Sequence, residues 1–102
     1  MFDWDTGNLN HIALHGVSRV EAEQAVLNDP IDLQFQDGTG EERVVQVGET
    51  NAGRILVVVT TMRDHLIRVV TAFPAKRRIR KVYLAQRKSI HEGGTEETEL
   101  QE

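Results

Sequence analysis

At 102 residues the chain has the length of a single domain, and with no cysteine it excludes a disulfide framework, a thiolate zinc site and a cysteine nucleophile. The opening "MFDWDTGNLN" has neither a basic nor an apolar leader region, and the longest apolar run, "ILVVV", is too short to cross a bilayer, so the expectation is a soluble, cytoplasmic protein without a membrane partner. The formal charge of −4 hides an asymmetry: five of the 16 acids lie in the terminal "EGGTEETELQE", and the other 11 face 12 Lys and Arg, seven of which crowd into the acid-free "KRRIRKVYLAQRK" of residues 76–88.

In chain order, Leu9, Ile12 and Ala13 recur at helical spacing and Gly16 stands where a left-handed residue ends a helix, which predicts a first helix over Thr6 to His15. "SRVE" reads as a capping box, Ser18 with Glu21, opening a second helix that runs to Leu27 and stops at "NDP". The period then becomes strand-like. "IDLQF" and "ERVVQVG" flank the turn "DGTG", "RILVVVTTM" is apolar on both faces as a central strand must be, and "LIRVVTAF" follows the short turn at "RDH". Pro74 suits the first turn of a last helix, on which Ala75, Ile79, Val82, Tyr83 and Gln86 form one stripe among bases. The expected fold is α+β: two N-terminal helices, a four-stranded antiparallel sheet and a basic C-terminal helix in a domain of residues 1–90, then an acidic, disordered tail of residues 91–102.

A cationic helix beside an anionic tail is an electrostatic footprint for nucleic acid or an acidic protein; a solvated helix face screened by that tail fits the charge equally well.

"FDWDTGN", "HIALHGVS" leading into a capped helix, "NDP", "GEER", "GRILVVVTTMR" and "RVVTA" before a basic helix with a tyrosine resemble, in order and spacing over residues 2–88, the BrnT family of type II toxin–antitoxin systems. The resemblance implies a RelE-like fold, a ribonuclease that halts translation in the bacterial stress response, and a BrnA-like antitoxin protein as partner. DNA would then be reached only indirectly, through the antitoxin. The sequence departs from the family pattern where Leu14 replaces a common Lys, Phe73 a common Arg and Ile79 a frequent Glu. All three changes remove charge, which gives a second reading: a catalytically degenerate module that binds an antitoxin-like protein or RNA without cutting.

RNA cleavage without a metal asks for a base for the 2′-hydroxyl, cations at the phosphorus oxygens and an acid for the leaving oxygen. The sequence offers His11, His15 and His65 for proton transfer and several arginines for phosphate. On "LIRVVTAF", strand parity separates Arg68 from Thr71 unless a bulge intervenes. Arg68 falls opposite a threonine of the preceding strand, Thr61 across a two-residue turn or Thr60 across a three-residue one, and the two-residue case also puts Arg63 on its face. The candidate catalytic residues are therefore Arg43, Arg63, Arg68 and His15, the last chosen because it aligns with the histidine of the family's "HGV". Arg54, Lys76, Arg77 and Arg80 are the candidate RNA-binding residues. Glu41 and Glu42 resemble the family's "EER" and offer a general base, against an ordinary turn-flanking charge pair. Trp4 offers base stacking, against the commoner role of anchoring a terminus in the core. No cofactor is expected and no metal, because "HIALH" spaces two histidines for zinc without a carboxylate to complete the site.

Overall fold

The computed structural model of the protein describes residues 1–37 and 42–93, with side chains for residues 1–33 and 42–87. Most of the "DGTG" turn, Glu41 and the acidic tail from residue 94 lie outside the described residues.

Two helices come first, α1 (Thr6–Ala13) and α2 (Arg19–Leu27). Each begins on a reciprocal capping box. Asp5 accepts from the Asn8 amide while the Asn8 side chain accepts from the Asp5 N–H, and Ser18 and Glu21 do the same for α2. Helix α1 ends at Ala13, two residues earlier than the periodicity predicts. Residues 14–16 tighten into a Schellman closure, in which the Val17 N–H reaches the Ile12 carbonyl at 3.1 Å, the Gly16 N–H that of Ala13 at 2.9 Å, and Gly16 takes φ 73. The closure turns Val17 inward, where it is buried with Ala22.

Four strands follow: β1 (Ile31–Asp37), β2 (Glu42–Glu49), β3 (Ile55–Arg63) and β4 (Leu66–Pro74), in an antiparallel sheet of order β1-β2-β3-β4. Helix α3 (Arg77–Gly93) closes the order. The expected α+β arrangement is thus present, with a further change at Pro74, which is the last residue of β4, opposite Leu56, and not part of the helix. Pro74 has no N–H to lose at the end of a ladder, and the next amide, Ala75, resumes pairing with the Ile55 carbonyl at 3.0 Å, so α3 starts only at Arg77.

The sheet carries a core on each face. Leu56, Val58, Val69 and Ala72 pack against Ile12, Val17, Ala22 and Ala25 of the first two helices and the loop between them. On the other face Val47 and Val57 pack against Ala75 and Tyr83, with Ile79 alongside. Ile79 and Tyr83 form the apolar stripe of α3, with Ala75 just before the helix, while Val82 and Leu84 are exposed. Fully buried aliphatic side chains such as Leu56 each contribute about 1.5–3 kcal/mol by leaving water. Gly48 on β2 lets α2 approach closely, since a Cβ there would collide with the Ala25 carbonyl.

The β4 ladder shifts between Val59 and Thr60. Val59 pairs with Thr71 and Thr60 with Val69, so Val70 is an extra residue, a bulge. That shift puts Arg68 and Thr71 on one face and lets Val69 and Ala72 both enter the other core.

Candidate functional site

Helix α3 covers only part of its face of the sheet. Beyond it, Thr61 on β3 pairs with Arg68 on β4, across a two-residue turn at Asp64 and His65, both at positive φ. Arg43 on β2 lies one residue on from the Val44–Thr60 pair and so comes level with Thr61. The Thr61 hydroxyl donates to the Glu42 carbonyl at 2.6 Å and is fixed by it. Arg43, Thr61 and Arg68 line one pocket of about 220 Å³, whose other wall is α1, with Gly7, Asn8 and His11. The Asn8 side chain holds that wall to β4 through the Val69 carbonyl at 3.1 Å.

The N-terminal segment supplies what the sequence alone did not reveal. Residues 1–3 run beside β4, with Phe2 bridged to Ile67 and the Asp3 N–H donating to the Ile67 carbonyl at 2.8 Å. In "FDWD" alternate side chains then part company. Phe2 and Trp4 pack against the core, and the Trp4 indole N–H donates to Glu23 at 2.8 Å, so Trp4 anchors the terminus. Asp3 and Asp5 point to the arginines. Arg68 lies 3.4 Å from Asp3 and 3.1 Å from Asp5, and Arg63 lies 3.9 Å from Asp3. The hydrogen bond from Arg68 holds the Asp5 carboxyl below its ordinary range, and that same bond raises the Arg68 pKa further.

Of the candidate catalytic residues, the fold brings Arg43 and Arg68 into one pocket and sets Arg63 beside them through Asp3. His15 does not line the pocket; its ring meets Phe73 edge-on at 5.9 Å and the His11 ring at 5.8 Å. His11, one helical turn earlier, is the histidine in the pocket. Glu42 is exposed at the start of β2. The Thr71 hydroxyl, on the same face, is buried with no hydrogen-bond partner among the described residues.

The candidate RNA-binding residues lie elsewhere. Arg54 donates to both Glu21 oxygens at 3.0 Å and to the Gly16 carbonyl at 2.8 Å, tying the loop after α1 to the sheet. Arg54, Arg77 and Arg80 line a second groove, which does not include the exposed Lys76. Among the described residues, no three His, Asp or Glu side chains are grouped as metal ligands would be, and no helix is long and apolar enough to cross a membrane.

The pocket thus gathers two guanidinium groups, one of them paired with Asp3 and Asp5, a fixed hydroxyl and an imidazole, side chains of the kind that can pair with a phosphate and pass a proton. A family model described as a ribonuclease toxin, BrnT, of type II toxin–antitoxin systems matches residues 4–78. No curated protein matches the chain.

Proposed function

Because the chain belongs to the BrnT toxin family of type II toxin–antitoxin systems, whose model spans well over half of it, we propose that the pocket between α1 and the sheet cleaves RNA without a metal. Membership in a type II system also gives the chain an antitoxin protein as partner. The observation that carries the ribonuclease reading is the convergence of Arg43 and Arg68, from strands separated by β3, with Thr61 and His11 in one pocket.

In the proposed reaction the scissile phosphate sits between the two guanidinium groups. The ribose 2′-oxygen bonds to phosphorus as its proton passes to a base, and the phosphorus–O5′ bond breaks as that oxygen takes a proton. The products are a 2′,3′-cyclic phosphate and a free 5′-hydroxyl. Arg43 and Arg68 offset the charge that grows on the non-bridging oxygens, and His11 serves one of the two proton transfers. Arg63, more exposed at the rim, steers the backbone.

Incubation of the purified protein with single-stranded RNA in EDTA tests this reading. Cleavage to cyclic-phosphate ends is expected, with losses of about a hundredfold or more in Arg68→Ala and Arg43→Ala. Cleavage at an undiminished rate in both variants would remove the pocket from the reaction. Intact RNA with folded wild-type protein would favour the binding-module reading, in which the charges absent at Leu14, Phe73 and Ile79 have cost the chain its turnover.

A further inference from the structure

The second groove, of about 560 Å³, runs between the first two turns of α3 and the strand ends beneath them, and it shares no lining residue with the arginine pocket. Arg54, Arg77, Arg80 and Lys81 rim it. Arg54 is committed to Glu21, but the side chains of Arg77, Arg80 and Lys81 are exposed and make no ion pair or hydrogen bond among the described residues. Its apolar lining is aliphatic: Ile55, Pro74, Ala75 and Leu84. Leu84 is 53% exposed and adds apolar surface to that lining.

That lining discriminates between the two polyanions a basic helix attracts. Single-stranded RNA stacks its bases on aromatic rings or on guanidinium planes; among the described residues no aromatic side chain lines the groove, and the floor that its cations surround is aliphatic. Tyr83, the aromatic residue of α3, is buried against the sheet. An aliphatic floor under a cationic rim instead matches an aliphatic side chain flanked by carboxylates. We propose that this groove docks an acidic segment of the antitoxin, seating an aliphatic side chain on Ile55 and Leu84 and setting carboxylates against Arg77, Arg80 and Lys81. The inference rests on the family reading for one thing only, that an antitoxin is the protein which brings the segment.

The test uses the full chain and a fluorescein-labelled synthetic peptide of glutamates with leucines at helical spacing, followed by anisotropy. Saturable binding is expected, weakened about tenfold or more in Arg80→Glu/Lys81→Glu, because like charges then face each other, and weakened also in Leu84→Ser. Replacing the peptide's leucines with serine should weaken it too, and single-stranded RNA should fail to displace it. Leu84 is an exposed position, so Leu84→Ser keeps the test decisive if the charge-reversed variant fails to fold. Besides a failure of the peptide to bind, three results overturn the proposal. Displacement by equimolar RNA would make the groove an RNA track, and indifference to the leucines would reduce it to a charged surface. Binding seen only after removal of residues 94–102 would make the chain's own acidic end the occupant. The RNA cleavage assay scores the family activity separately. Intact RNA with peptide bound sinks the ribonuclease reading alone, and cleaved RNA without peptide binding sinks the groove alone.

Discussion

The Arg68 guanidinium lies 3.1 Å from the Asp5 carboxylate, so the cation at the heart of the pocket is held by the residue that also caps α1. With Asp3 at 3.4 Å the clamp fixes Arg68 and offsets its charge in the free protein. A phosphate entering the pocket therefore competes with two carboxylates. Asp5→Asn removes one of those charges while keeping an oxygen that can cap the Asn8 amide. Affinity for a single-stranded RNA oligonucleotide should rise about fivefold at low salt, with the gain fading as salt is added. A titration showing weaker binding would mean that Asp5 positions Arg68 more than it opposes the ligand.

The two histidines of "HIALH" make a second comparison. They share a helix face, yet only His11 lines the pocket, while His15 packs on Phe73. His11→Ala should lower kcat about a hundredfold with little change in KM, the pattern of a group that acts on the proton and not on binding. A larger loss from His15→Ala than from His11→Ala would move the acid–base role down the helix.

Acid stability follows from two carboxyls. Asp5 is held below its ordinary 3.8, first by the hydrogen bond from Arg68; Glu21 is held below 4.5, first by the Ser18 N–H and further by Arg54. Each binds protons less readily folded than unfolded, so its contribution is complete above the ordinary value and is lost as pH falls through the lower, folded one. The Tm should fall as pH drops below about 4.5 and keep falling below 3.8. The effect is modest because both groups are solvent-screened. Melting curves of Asp5→Asn and Glu21→Gln should each be flatter over that window, and curves parallel to wild type would assign the acid sensitivity elsewhere.

What could be read beforehand was whatever is written locally. The Ser18–Glu21 box, the change from helical to alternating period at Ile31 and the doubly apolar β3 follow from neighbouring residues, and so do the elements they define. That a threonine faces Arg68 was legible too, but the choice of Thr61 over Thr60 waited on the turn, whose two residues, Asp64 and His65, set the register. The Val70 bulge was not, since an extra valine among valines leaves no mark on hydrophobicity. Nor was it legible which of His11 and His15 lines the pocket, which depends on how α1 is rolled against β4 and not on spacing. The acidic clamp left a faint sign in "FDWD", where acids alternate with aromatics, but its partners lie more than sixty positions away.

Gly48 offers the sharpest test of the packing that positions the site. It is buried on β2, and a Cβ there would run into the Ala25 carbonyl of α2, a rigid backbone atom with nowhere to move. Relief would require α2 to lift from the sheet, opening the core around Ala22 and Ala25 and pulling on the Arg54–Glu21 contact that ties the α1–α2 region to the sheet. Gly48→Ala should therefore destabilise by about 3 kcal/mol, the upper end for overpacking, and lower Tm by roughly 12 °C or more. The loss should appear in chemical denaturation as a lower midpoint with an unchanged slope, because the surface exposed on unfolding is the same. Near-wild-type stability would mean that α2 shifts freely on β2, and the arginine pocket, whose α1 wall shares a core with α2, would then lack a rigid frame.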